Sequence, residues 1–213
     1  MERIFAIGDI HGCLDQLQRL MELVTIDPVN DTLVFIGDYI DRGPDSRGVV
    51  DYVLDLKKRV GSTVCLLGNH EQMLLDYLTG GPYGDLYLYN GGDATFASYG
   101  IGAERDDAAT GIPESHLEFF RTLLTYYETE DYIFVHAGMK PGIPLEEQQN
   151  DDLLWIRYSF INSDHDFGKI VVFGHTPLMS VHVDDYKIGI DTGAVYGGVL
   201  TCLELPTMKL YQV

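Results

Sequence analysis

Three short apolar, β-branched runs, residues 4–7, 33–36 and 64–67, each end in a glycine followed by a polar residue: Gly8-Asp9, Gly37-Asp38 and Gly68-Asn69. Gly8 to Gly37 is 29 residues and Gly37 to Gly68 is 31, about the length of one strand–helix–strand unit. The intervening segments carry helical periodicity: Leu14, Leu17, Leu20 and Leu23 in one, Val49, Val50, Val53, Leu54 and Leu56 in the next. Near-continuous apolar strands joined by helical crossovers predict parallel strands buried on both faces. Polar residues at their carboxyl ends then gather on one edge of the sheet, where open α/β folds place their sites.

The rest of the chain follows a different pattern. A helix is expected near 70–78. The Gly- and Tyr-rich stretch 79–111 reads as loop with one short helix at 94–99. Its tyrosines, from Tyr77 to Tyr99, fit a substrate groove and an ordinary packed loop equally well. Pro113 is expected to open a helix through Leu124. Residues 132–135, 170–173, 181–183, 187–190, 200–205 and 209–213 read as strands with short turns, forming antiparallel hairpins in a second sheet packed on the first. No repeat or linker interrupts the sequence, so residues 1–213 are expected to form a single domain.

Five polar clusters fall at strand ends: Gly8-Asp9-Ile10-His11-Gly12, Gly37-Asp38-Tyr39-Ile40-Asp41-Arg42-Gly43, Gly68-Asn69-His70-Glu71, His136-Ala137-Gly138 and Gly174-His175-Thr176. A lone Gly-Asp after a strand is ordinarily a turn, and a lone buried histidine is ordinarily hydrogen-bonded core. Five such clusters at corresponding strand ends are not explained that way. Carboxylate oxygens mixed with imidazole suit Mn²⁺, Fe or Zn²⁺. Several on one sheet edge make a two-metal site with a shared carboxylate plausible.

These clusters resemble the phosphoprotein phosphatase family of calcineurin-like binuclear metallophosphatases, whose pattern is GDxHG, GDxxDRG, GNHE, HAG or HGG, then GH. All five elements occur in order. The segments 68–75, 90–92, 97–100, 154–157 and 190–194 are similar to the bacterial and phage serine/threonine phosphatase branch and extend the match over nearly the whole chain. The resemblance implies an α/β fold of two packed mixed β-sheets flanked by helices, four layers in all. It implies that Asp9 and His11 hold a first divalent metal, that Asn69, His136 and His175 hold a second, and that Asp38 bridges them. Mn²⁺ is the expected metal, with Fe/Zn and Mg²⁺ as alternatives. A metal-bridging water or hydroxide would attack phosphorus in line, His70 would protonate the leaving oxygen, and Asp41 would orient His70. Arg42 would clamp phosphate oxygens with its planar fork. Arg157 and Tyr196 are further substrate-binding candidates, and Glu71 is read as a supporting or helix-capping residue.

The implied activity is a metal-dependent serine/threonine protein phosphatase acting on phosphomonoesters of proteins or peptides, with phosphotyrosine and small phosphoesters as further substrates. A symmetrical dinucleoside polyphosphate (diadenosine tetraphosphate) hydrolase is the alternative. In that relative the third motif usually reads GNHD, and Glu71 tilts the reading toward protein phosphatase. A catalytically inactive binding module would have lost ligands or the acid, and every core position is present.

One decoy and the overall charge remain. Cys13 and Arg19 are spaced as in cysteine-dependent phosphatases. The segment between them is an amphipathic helix start, not the glycine-rich amide cradle that chemistry needs. His116, His165 and His182 lie outside the motifs and read as structural or exposed. With 14 Lys and Arg against 33 Asp and Glu, the net charge is −19, which argues against nucleic acid or anionic membrane as partners. No apolar run reaches the ~20 residues of a transmembrane helix. Residues 1–9 enter a strand at once, without room for a secretory leader. Three widely spaced cysteines fit neither a disulfide framework nor a zinc ribbon. A cytoplasmic monomer is expected.

Overall fold

The computed structural model describes residues 3–213; Met1 and Glu2 of the N-terminal segment lie outside the described residues. Among the described residues ten strands run β1 Ile4–Ile7, β2 Thr32–Phe35, β3 Ser62–Cys65, β4 Tyr126–Glu128, β5 Tyr132–Val135, β6 Ile170–Phe173, β7 His182–Val183, β8 Lys187–Gly189, β9 Thr201–Leu205 and β10 Lys209–Gln212. They form two five-stranded sheets, ordered β10-β9-β1-β2-β3 and β4-β5-β6-β8-β7. The parallel pairs β1–β2 and β2–β3 follow the thirty-residue repeat.

The second half departs from the expected hairpins. The central pairs β5–β6 and β6–β8 are parallel, and only the edge strands β4 and β7 are antiparallel to their neighbours. Parallel pairing needs a crossover, and the β5–β6 connection contains helices Asn150–Trp155 and Tyr158–Ile161, which are too short to show periodicity. Residues 200–213 also do not join the second sheet. Strands β9 and β10 form a hairpin that extends the first sheet beyond β1. The stretch 79–111 is mostly helical: the expected short helix is Gly92–Tyr99, and Gly84–Tyr87 and Arg105–Gly111 are helices where loop was expected. The helix after Pro113 spans Glu114–Arg121, ending before Leu124.

Side-chain alternation along the strands builds the four layers. In β1, Phe5 and Ile7 face a helix layer with Leu17, Leu20, Val50, Val53 and Phe120. Ala6 faces the other way, into an inter-sheet core with Val34, Phe134, Val172, Ile188 and Leu203. In β6, Val172 joins that inter-sheet core, while Val171 and Phe173 pack with Leu153 and Phe160 of the outer helices. The carboxyl ends of β1, β2, β5 and β6 therefore meet along one margin of the sandwich, and the five polar clusters follow those ends and that of β3.

Candidate active site

At that margin the backbone is forced into conformations that ordinary L residues avoid. His11, Asp38, Asp41, Arg42 and His175 all have φ between 46° and 73°, a left-handed region sparsely used by non-glycine residues. Such strain concentrates where function over-determines the geometry. Glycines make the close approaches possible. A side chain at Gly68 would collide with the Asp38 carboxylate, and one at Gly174 with that of Asp9.

Asp38 sits at the centre. Its Oδ2 lies 3.4 Å from His11 Nε2 and its Oδ1 lies 3.4 Å from His136 Nε2. The other ring nitrogens are already committed: His11 Nδ1 lies 2.8 Å from the Ile40 carbonyl and His136 Nδ1 2.8 Å from the Ile36 carbonyl. A carbonyl only accepts, so each Nδ1 carries the proton and each Nε2 a lone pair. Burial lowers the pKa of both rings, His11 to about 3, which keeps them neutral. Two carboxylate oxygens thus face two lone-pair nitrogens with no proton between them. Asn69 Oδ1 is a further acceptor, 3.0 Å from His136 Nε2 and 2.8 Å from His175 Nδ1. His175 Nε2 and His70 Nε2 are buried without a hydrogen-bond partner.

Electrostatics point the same way. Burial, with Asp191 and Asp38 close by, raises the Asp9 carboxyl well above the usual carboxylate range. Burial also raises Asp191, to about 6. Burial would raise Asp38 too, and its carboxyl falls below its ordinary value to the extent that positive charge sits among His136, His70, His11 and His175. Burial lowers His175 to about 2. Buried acceptors that converge without protons are the donor set a divalent cation requires. Two groups of ligand atoms fit one: His11, Asp38 and His70, and Asp38, His136 and His175. Asp38 belongs to both.

The expected residues are brought together with one shift in grouping. His70, expected as the acid, stands with His11 and Asp38, its Nε2 4.0 Å from Asp38 Oδ2. Asp9 falls in neither group and accepts the His175 backbone N–H at 3.0 and 3.2 Å. His70 Nδ1 lies 2.6 Å from Asp41 Oδ2, with both side chains fully buried. Arg42 Nη1 is 2.6 Å from His11 Nε2, and its guanidinium stands over the Tyr196 ring at 5.6 Å. Tyr196, 62 % exposed in the turn Ala194–Tyr196, is thus the outer wall beside Arg42. Arg157 is exposed, and its charge helps to lower His136 and His175.

Glu71 holds the loop after β2. Its Oε1 accepts the N–H groups of Tyr39 (2.8 Å) and Ile40 (3.2 Å), and its Oε2 those of Asp38 (3.0 Å) and Gly68 (3.1 Å). Its carboxylate binds backbone inside the protein, so the Glu-or-Asp distinction in the third motif is not a substrate contact in this chain. Asp191 escaped the sequence reading, although Gly189-Ile190-Asp191 repeats the pattern of glycine and acid past a strand. Tyr87, Thr95 and Ser46 around Asp41 also escaped it, and only their residue types hinted at hydrogen bonding.

The other histidines lie elsewhere. His116 binds the Tyr99 hydroxyl and Asp51, His182 pairs with Asp184, and His165 packs edge-on against Phe167. Cys13 begins helix Leu14–Leu23, and burial raises its thiol, the reverse of what a thiolate nucleophile needs. Arg19 pairs with Asp15 on the exposed side of that helix.

Residues 2–196 match the calcineurin-like phosphoesterase model. The chain belongs to that family and is a phosphoester hydrolase. It is 35% identical over 212 residues to serine/threonine-protein phosphatase 1 of Salmonella typhimurium, covering 93% of this chain and 89% of that protein. It is 28% identical to the asymmetrical bis(5'-nucleosyl)-tetraphosphatase PrpE of Anoxybacillus flavithermus, covering 97% and 92%. A crystal structure described as a putative diadenosine tetraphosphatase superposes with a TM-score of 0.74 at 27% identity, covering 99% of this chain and 92% of that one. No helix among the described residues is long and apolar enough to cross a membrane.

Proposed function

We propose that this chain is a serine/threonine protein phosphatase that takes two divalent cations, Mn²⁺ first among them, and hydrolyses phosphomonoesters on proteins or peptides. The observation that carries the reading is the buried pair His70–Asp41 set beside an Asp38 whose two oxygens face separate ligand groups. Asp9, His11 and Asp38 would hold one cation and Asp38, Asn69, His136 and His175 the other. When bound, the cations supply Lewis-acid charge and a water of lowered pKa for attack at phosphorus.

The chain's own residues do the rest. Arg42, whose guanidinium is held between His11 and the Tyr196 ring, binds two phosphate oxygens through its fork. Arg157, exposed and with its charge felt by His136 and His175, would serve as a second clamp. Asp41 Oδ2 accepts a hydrogen bond from His70 Nδ1–H, which turns Nε2 toward the reacting group. As the P–O bond breaks and its electron pair passes to the leaving oxygen, His70 Nε2 delivers a proton to that oxygen. A serine or threonine alkoxide needs that proton far more than a nitrophenolate does.

The 35% identity to the Salmonella phosphatase favours phosphoprotein. The fit to the diadenosine tetraphosphatase structure favours a dinucleoside polyphosphate as the second reading. The relative in that class is named asymmetrical, so the cleavage to test is the uneven one, giving ATP and AMP, and not the symmetrical cleavage weighed from the sequence. One panel with Mn²⁺ decides: phosphoserine, phosphothreonine and phosphotyrosine peptides, nitrophenyl phosphate and diadenosine tetraphosphate. The highest kcat/KM is expected on phosphoserine or phosphothreonine. A higher value on the dinucleotide would replace the first reading with the second.

A further inference from the structure

Asp41, the partner of His70, has a second set of contacts that the reaction chemistry alone does not require. Its Oδ1 accepts the Tyr87 hydroxyl at 2.9 Å and the Thr95 hydroxyl at 2.6 Å. Its backbone N–H donates to Thr95 Oγ1 at 2.9 Å and Ser46 Oγ at 3.0 Å, and those two oxygens lie 2.9 Å apart. Asp41, Tyr87, Thr95 and Ser46 are all fully buried. A residue at φ 73° is therefore clamped at both its main chain and its side chain.

Two of the three clamping residues come from the stretch 79–111: Tyr87 from a part that read as loop, and Thr95 from the short helix expected there. Helix Gly84–Tyr87 supplies the tyrosine and helix Gly92–Tyr99 the threonine. The sequence between them is adapted to this contact. A side chain at Gly92 would strike the Tyr87 ring, and the Gly91 carbonyl accepts the Arg42 backbone N–H at 3.1 Å. Phe96 packs edge-on against the same ring at 5.4 Å. Packing alone would be served by phenylalanine at position 87 and valine at 95, so the two hydroxyls need a reason. Their common target is one carboxylate oxygen.

We infer that Tyr87 and Thr95 are positioning residues that occupy Asp41 Oδ1 and fix the carboxylate plane, so that Oδ2 is held for His70 Nδ1. This rests on the proposed role of His70 as proton donor. Without the two donors the carboxylate can rotate about its Cβ–Cγ bond, and the 2.6 Å contact to His70 is no longer enforced. His70 Nε2 then loses its aim at the leaving oxygen, while Arg42 and the ligand groups keep their places. Binding should survive while proton delivery suffers.

The test uses the Mn²⁺-loaded full chain and the variants Tyr87→Phe, Thr95→Val and Thr95→Ser, with urea midpoints showing that each is folded. Tyr87→Phe and Thr95→Val should each lower kcat on a phosphoserine peptide about tenfold, with KM nearly constant, since a misaimed general acid forfeits part of its 10²–10⁴-fold contribution. Nitrophenyl phosphate should suffer much less, and Thr95→Ser, which keeps the hydroxyl, should return to near wild type. The second readout is independent of turnover. In ¹⁵N-labelled protein loaded with diamagnetic Mg²⁺ in place of Mn²⁺, the His70 Nδ1–H resonance should persist in the wild type and Thr95→Ser, and exchange away in Tyr87→Phe and Thr95→Val. An unchanged resonance in both variants overturns the inference whatever the substrate proves to be. A lost resonance with equal kinetic losses on both esters upholds the positioning role and overturns instead the reading of His70 as the acid.

Discussion

Replacing Glu71 with Gln keeps the shape of the side chain and changes only its hydrogen-bonding character. Each of its oxygens accepts two backbone N–H groups, from Tyr39 and Ile40 on one side and Asp38 and Gly68 on the other. Whichever oxygen becomes the amide NH₂, two buried N–H groups lose their acceptor and face a donor. A buried donor left unpaired costs ~1–3 kcal/mol, so two cost ~2–6 kcal/mol. Some of this is offset, because burial and the nearby Asp38 and Asp41 already raise the Glu71 pKa, against the pull of the backbone N–H groups. The lower end, ~2 kcal/mol, is the expected loss, a sizeable part of the 5–15 kcal/mol typical of a domain. Urea unfolding should show a lower midpoint at an unchanged slope. The freed loop carries Asp38, Asp41 and Arg42 at positive φ, so Mn²⁺ affinity measured by calorimetry should fall as well, by about tenfold or more. A midpoint and an affinity both equal to wild type would refute the idea that this carboxylate holds the loop.

Four further outcomes follow from the same geometry. His70→Asn should retain Mn²⁺ yet cut turnover of phosphoserine peptide by about two to four orders of magnitude; near wild-type rates would remove His70 as proton donor. Chelation by EDTA should abolish activity, Mn²⁺ should restore it, and the loss of melting temperature on chelation should be greater at pH 7 than at pH 5. The sign follows from Asp191, whose carboxyl burial raises to about 6, above its ordinary value of 3.8: its contribution is present at low pH and lost as pH rises through about 6. A loss smaller at pH 7 would contradict it. Cys13→Ser should leave kcat/KM nearly intact, and a loss of orders of magnitude would overturn the metal reading in favour of the cysteine one. Phosphopeptides with basic flanks should turn over faster than acidic ones at low salt, with the gap closing as salt rises; equal rates would leave the −19 charge no part in substrate choice.

What could be read in advance depended on whether the signal was local. The first three strands and their polar ends were legible because each apolar run, its glycine and its acid are contiguous. Asp9, His11, Asp38 and Asn69 follow the ends of these strands, and the structure brings His70 rather than Asp9 beside His11 and Asp38. The placement of β9 and β10 was not legible. A hairpin looks the same whichever sheet it joins, and the choice is made by pairing β9 with β1, nearly two hundred residues away. The parallel core of the second sheet was hidden because its crossover helices, Asn150–Trp155 and Tyr158–Ile161, are too short to carry a period. The Tyr87–Thr95–Asp41 contacts were hidden for a third reason: their meaning lies in which oxygen each hydroxyl meets.

The charge of the chain takes on a different meaning once its carboxylates are located. Asp9, Asp38, Asp41, Glu71 and Asp191 are all buried at the site, and the neighbouring rings of His11, His136 and His175 are kept neutral by burial. Arg42 is the guanidinium in contact with this cluster, through His11. Five carboxylates against one arginine would repel a phosphate and strain the fold. The two proposed cations add +4, so with Arg42 the site, its five carboxylates ionised around the cations, sums to −5 + 4 + 1 = 0, and to +1 when His70 carries the proton it delivers. Exposed Arg157 at the rim tips the mouth of the cleft to positive. The whole chain, at 14 − 33 + 4 = −15, stays strongly acidic while its cleft does not. With both cations in place a phosphate would be drawn to the site where these acidic residues are neutralised, and the acidic exterior is expected to disfavour acidic groups attached to that phosphate. Specificity by flanking charge and catalysis by buried charge are thus separable. Surface carboxylates can be altered to retune substrate choice at low salt without touching kcat.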